Sequence, residues 1–129
     1  GICPEGWHVP TDDEWKILEG TVDSMYPVGD PIWDNTGPRG FDAGKNLKST
    51  TLWNNNGNGS DLYNFTAMPS GHLWTANGFI LLGEVGFYFT SSKNVDIVID
   101  RTMGAGSDQV YRWNSGTVTE GRSVRCLKD

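Results

Sequence analysis

Cys3 and Cys126 are the only thiols in the chain, and they stand at its two ends. Two fates are open to them: a single disulfide that staples the termini together, or two unpaired buried thiols in a reducing cytosol. The Trp-, Asn- and Gly-rich chain around them suits an oxidising compartment, which favours the bridge. His8 and His72 are too few and too far apart in sequence to suggest zinc, and a lone imidazole beside Trp7 reads as structural. Asp96 and Asp100 share a strand face and leave glycoside hydrolysis open, with a solvated strand face as the simpler account. Neither a Gly-x-Ser-x-Gly elbow nor a phosphate-binding loop is present.

Binding chemistry has more material. Trp74, Asn77, Tyr111, Arg112, Trp113 and Asn114 combine flat rings with amide and guanidinium groups, the pairing that serves carbohydrate or protein recognition. For each single aromatic, a place in the core is an equal alternative. Asn54, Asn56, Asn58 and Asp61 alternate oxygen-bearing side chains with glycine and are weak calcium candidates, since only Asp61 carries charge. The competing account is a compact loop stitched by its own Asx-turns. No cofactor is expected, and calcium is the one that the sequence leaves open.

These residues need elements to hold them. Thr11 and Glu14 form a capping box, with Pro10 and Trp15 at the staple positions around it and Asp12 and Asp13 in the first turn. A helix is predicted from Thr11 towards Met25, with Trp15, Leu18, Val22 and Met25 on one face and Gly20 shortening or bending it. Residues 26–40 read as a long irregular loop, and Phe41 to Lys48 as a second helix burying Phe41, Ala43 and Leu47. Tyr63, Phe65 and Ala67 alternate as a short strand. Further strands follow: the apolar run Phe79 to Leu82, a central buried strand from Val85 to Thr90, and one burying Val95, Ile97 and Ile99. Then come Val110 to Trp113 before a turn at Asn114-Ser115-Gly116, and Ser123 to Leu127 carrying Cys126. Helices first and an antiparallel sheet afterwards is an α+β order.

The chain has 129 residues, enough for one domain with its own core. Its net charge of -6 argues against a nucleic-acid partner, because phosphate binding needs clustered Lys and Arg. The acidity is concentrated: residues 1–34 hold eight acidic side chains against Lys16 alone. No stretch approaches the roughly 20 apolar residues of a membrane span, and without a signal peptide the chain reads as a mature or trimmed fragment.

Several segments carry a resemblance. They are Cys3-Pro4-Glu5-Gly6-Trp7-His8-Val9-Pro10-Thr11-Asp12-Asp13-Glu14-Trp15, Gly44-Lys45-Asn46-Leu47-Lys48-Ser49, the tract Trp53 to Asp61, Tyr63 to Gly71, Gly86 to Ser92 and the ending Ser123 to Asp129. In this order they closely resemble the Fibrobacter succinogenes major paralogous domain of exported and surface proteins in Fibrobacter and Bacteroidota. Members usually carry residues before the first cysteine, which implies a missing upstream segment. Val9 to Trp15 and the closing Ser-Val-Arg-Cys are also similar, more faintly, to the formylglycine-generating enzyme superfamily. That similarity implies a C-type lectin-like fold: an N-terminal helix or helices, then a small twisted antiparallel sheet under long loops.

The expected function is a non-catalytic binding or adhesion module, secreted or held as a lipoprotein at the outer-membrane surface of a bacterium, with a cell-surface glycan or protein as partner. The alternative is a structural subunit domain of a surface or pilus assembly, packed against neighbouring domains. Formylglycine-generating chemistry needs a free pair of redox-active cysteines, and the bridge would consume both.

Overall fold

A computed structural model of the chain describes residues 1–74, 76–95, 97–117 and 119–129. After a two-residue strand, β1 (Trp7–His8), the capping box forms as the local sequence dictates. The Thr11 hydroxyl accepts from the Glu14 N–H at 3.2 Å, and the Glu14 carboxylate accepts from the Thr11 N–H at 2.8 Å. Helix α1 (Asp12–Val22) runs from there and buries Trp15, Glu19, Gly20 and Val22. Gly20 does not shorten it. A Cβ at that position would lie 2.6 Å from the Cα of Val28, so glycine is what lets the returning chain lie on the helix. Met25 falls beyond the helix and is exposed.

The stretch expected to be one long loop holds two elements. Pro31–Asp34 is a 3-10 turn whose Trp33 is buried and donates its indole N–H to the Pro27 carbonyl at 2.9 Å. Gly37–Arg39 is strand β2, which pairs antiparallel with a strand more than seventy residues later. Helix α2 (Ala43–Leu47) begins at three N–H groups, those of Phe41, Asp42 and Ala43, which all donate to one Asp23 oxygen. A carboxylate from outside the helix thus does the work of a cap. Phe41 lies before α2 and is exposed, so it is no core residue. Tyr63, Phe65 and Ala67 form no strand: Asp61, Asn64 and Thr66 have positive φ, and only Ala67 makes a bridge, to Lys48.

The remaining strands are β3 (Ser70–Trp74), β4 (Gly78–Leu82), β5 (Val85–Asn94), β6 (Ile97–Gly104), β7 (Val110–Thr117) and β8 (Leu127–Lys128). Six strands make one mixed sheet in the order β2-β7-β6-β5-β3-β4, where β3 and β5 are parallel and the other pairs antiparallel. Where β3 and β5 diverge, Gly121 bridges to Leu73 and Ser123 to Tyr88, filling the gap. β1 and β8 form a separate two-stranded ribbon that joins the termini.

This arrangement corrects the expected fold class. The chain is mostly sheet, 37% strand against 16% helix, and not an α+β C-type lectin-like unit of leading helices and a small antiparallel sheet. The sheet recruits β2 from the N-terminal third, because the extended Gly37–Arg39 backbone finds its hydrogen-bond partners on β7. Two strands also differ from their expected form. On β6 it is Val98 and Asp100 that are buried, while Val95 and Ile97 are exposed; a register shift lies between Val98 and Asp100. Asn114 to Gly116 continue β7 and make no turn, and Cys126 precedes β8 instead of lying within a strand.

The core lies on one side of the sheet, where Tyr88, Met103 and Val110 meet Trp15, Val22, Trp33 and Leu47 of the helical side. Through that core runs an ionic chain. The Glu19 carboxylate, fully buried, accepts from Arg39 at 2.5 Å and from Arg101 at 2.7 Å, and Arg101 pairs also with Asp12 at 2.8 Å. Burial pushes the Glu19 carboxyl up, and Arg101 and Arg39 pull it back. The acidic N-terminal third is therefore neutralised internally, in part, by arginines of β2, β6 and β7.

Candidate functional site

Alternation along the strands decides what the other side of the sheet presents. With Gly86 and Tyr88 facing the core, Val85 and Phe87 of β5 point away from it. Their cross-strand neighbours follow: Thr102 opposite Phe87, and Tyr111 opposite Thr102. Tyr111 and Trp113, two apart on β7, stack at 6.0 Å with 29° between their planes. Together these side chains line a cleft of ≈450 Å³, completed by Gly104, Gly106 and Ser107. The strip continues beyond Phe87. His72 meets that ring edge-on at 4.5 Å and stacks on Trp74 at 6.0 Å. A second cleft of ≈290 Å³ lies here, lined by His72, Phe79, Arg122 and Ser123 among others.

Arg122 crosses between the clefts, its guanidinium 5.2 Å from the Phe87 ring centroid and 5.6 Å from that of Phe89. It donates to Asp100 and to Glu120. Burial pushes the Asp100 carboxyl up, against the pull of Arg122. Charge on this face is thus closed upon itself. Among the described residues, three buried polar atoms here have no hydrogen-bond partner: Asp100 Oδ1, Thr102 Oγ1 and His72 Nδ1. What the face exposes is flat rings, Trp74, Phe79 and Trp113, with these polar atoms sealed beneath it.

The structure sorts the residues singled out by sequence. Tyr111 and Trp113 are together in the first cleft, and Trp74 is on the same face beyond it. Asn77 is exposed in the β3–β4 hairpin and Asn114 is exposed on β7. Arg112 belongs elsewhere. It points to the opposite side of β7 from its neighbours and holds Asp12 there, which ties β7 to the start of α1. Of the two carboxylates considered for hydrolysis, Asp100 is buried against Arg122, and Asp96 lies outside the described residues. In the asparagine tract, Asp61 accepts from the Thr66 N–H and hydroxyl, both at 2.7 Å, and Asn58 accepts from the Trp53 N–H at 3.0 Å. Those oxygens close the loop on itself. Cys3 and Cys126 are bridged, with their Cα atoms 5.9 Å apart. His8 lies between Asp129 and Glu14, at 2.6 Å and 2.9 Å.

Sequence reasoning missed Phe87, Thr102, His72 and Arg122 as members of this face. The alternation of Val85, Phe87 and Phe89 with Gly86 and Tyr88 held the signal, but reading the whole run as a doubly buried strand hid it. No helix among the described residues is long and apolar enough to cross a membrane. A family described as the Fibrobacter succinogenes major domain matches residues 1–128, and the chain belongs to that family. No curated protein and no solved structure matches the chain.

Proposed function

We propose that this member of the Fibrobacter succinogenes major domain family is a non-catalytic binding module of the bacterial cell surface, recognising a glycan or a protein through the uncovered face of its sheet. The observation that carries the reading is the stacked Tyr111–Trp113 pair beside Phe87, on a side of the sheet opposite the core. Rings left half-exposed there contribute little to the core and offer contact area to a partner. The bridge between Cys3 and Cys126 supports an oxidising, exported setting. A glycan array run beside pull-down from cell-surface extracts tests the reading. Retention of a defined glycan or surface protein by the whole chain is the expected result; retention of neither removes it.

A second reading, packing against neighbouring domains in a surface or pilus assembly, is favoured by β4. This edge strand carries Phe79 and Leu82 with 82% and 77% of their surface exposed, and no charged residue guards it. Leu82→Asp then disrupts assembly into larger particles while leaving glycan binding intact.

A further inference from the structure

We infer that the partner of β4 is a second copy of this chain: the two β4 strands pair antiparallel about a two-fold axis at Ile80, joining two sheets edge to edge. This rests on the reading of β4 as an assembly edge and names its partner. The Tyr111–Trp113 pair on β7, with three strands between, stays uncovered.

Three observations lead there. The first is an open ladder. β4 ends the sheet: it pairs with β3 on one side, and among the described residues no strand pairs with its other side. The outward N–H and C=O groups of such a strand are a template for another strand. At the opposite end of the sheet stands β2, three residues long with Pro38 in its middle, whose nitrogen has no hydrogen to donate. Of the two edges, β4 is the one open to pairing.

The second is self-complementarity. A two-fold axis between two identical strands, perpendicular to the sheet, makes them antiparallel. With that axis at Ile80, the middle residue of Gly78–Leu82, the strand pairs over its full length and Leu82 of each copy lies opposite Gly78 of the other. Gly78 has no side chain, and its cross-strand neighbour on β3 is Trp74, 46% exposed. Paired positions share a face of the sheet, so the exposed Leu82 is set across Gly78 towards the exposed Trp74 ring. That contact occurs twice in the pair. Phe79 likewise comes beside Leu81 of the other copy, an exposed residue in each case.

The third is charge. Leu62 to Gly83 contain no Asp, Glu, Lys or Arg, although the chain carries a net charge of -6. Near a two-fold axis a charged residue faces its own copy, and like charges opposite one another destabilise a sheet, so an uncharged edge suits self-pairing. A basic partner, which the net charge attracts, finds no carboxylate on this strand.

Size sets the affinity. Phe79, Leu82, Trp74 and the strand backbone bury roughly 500 Å² per copy, about 1,000 Å² for the pair, at the low end for a specific contact. Leu81, at φ 63°, interrupts the extended run and shortens the new ladder. The pair is therefore reversible, with Kd on the order of 10–100 µM.

The test is sedimentation velocity of the whole chain from about 5 to about 500 µM, which brackets that Kd. A shift from monomer to dimer and no further is expected, since a two-fold contact closes on itself. Leu82→Asp and Phe79→Asp, both at exposed positions, each weaken it at least about tenfold because each enters the contact twice. Melting temperatures equal to the parent's show that these variants fold. Trp74→Arg alone also weakens it, and mixing that variant with Leu82→Asp restores dimers, because the new charges attract across one of the two contacts. Ile17→Ser, exposed on α1, serves as the control and dimerises as the parent. A monomer throughout the range overturns the inference; if Leu82→Asp still lowers retention of a surface protein, β4 remains an assembly edge for a different partner. A monomer whose protein retention is unchanged by Leu82→Asp removes both. Dimers indifferent to all three β3–β4 variants, or growth past the dimer into open chains, overturn the inference as well.

Discussion

Arg112 and Asp12, a hundred residues apart in the chain, meet through two hydrogen bonds of 2.8 Å each. The fork of the guanidinium matches the two carboxylate oxygens, which fixes β7 against the first turn of α1 as well as supplying charge. Arg112→Ala leaves a nearly buried Asp12 with Arg101 and Lys16 only. A loss of about 2 kcal/mol in urea denaturation is expected, with Arg112→Lys recovering only part of it. Unchanged stability with reduced ligand binding would return Arg112 to the contact surface.

Gly20→Ala sets local preference against packing. In an exposed helix the exchange stabilises by about 1 kcal/mol. Here the new Cβ falls 2.6 Å from both Cα and N of Val28, backbone atoms that have to move. A net loss of about 1–3 kcal/mol is expected. A raised melting temperature contradicts the close approach.

Reducing the bridge between Cys3 and Cys126 frees residues 123 apart in sequence. The unfolded chain gains the entropy of a long loop, which corresponds to about 4–5 kcal/mol by the chain-entropy account. The Cys3→Ser, Cys126→Ser double variant therefore melts well below the parent and is insensitive to reductant. A melting temperature equal to that of the oxidised parent refutes this.

The pH dependence has two limbs. Both ring nitrogens of His8 face carboxylates, and hydrogen bonds to Asp129 and then Glu14 raise its pKa above the ordinary 6.5. Its contribution is complete below 6.5 and is lost as pH rises through the raised value, so His8→Gln flattens stability on that side. For Asp12, burial works upward, but Arg112 and then Arg101 hold the carboxyl well below its ordinary 3.8. That contribution is present above 3.8 and fades as pH falls through the lowered value. Urea midpoints measured across pH check both limbs, and a His8→Gln curve parallel to the parent's above pH 6.5 rejects the first.

Some of this molecule was legible without coordinates, and the reason is range. The Thr11–Glu14 box is complete within four consecutive residues, so the start of α1 could be read directly. Two cysteines in all allow one intramolecular pairing, and that pairing forms. The family resemblance likewise lay in contiguous segments and holds over residues 1–128. Tertiary structure decided what depends on partners far along the chain. Gly37–Arg39, with a proline in its middle and a glycine at each side of that Pro-Arg pair, is a strand only because β7 supplies its hydrogen bonds. Arg39 and Arg101 can be fully buried because Glu19 is buried with them, and nothing in the local sequence of any of the three announces the others. Which side of β6 faces inward depended on a register shift, which moves side chains to the opposite face. Alternation marks two faces of a strand, but packing of α1 and α2 on one side is what leaves Tyr111, Trp113 and Phe87 on the side away from the core.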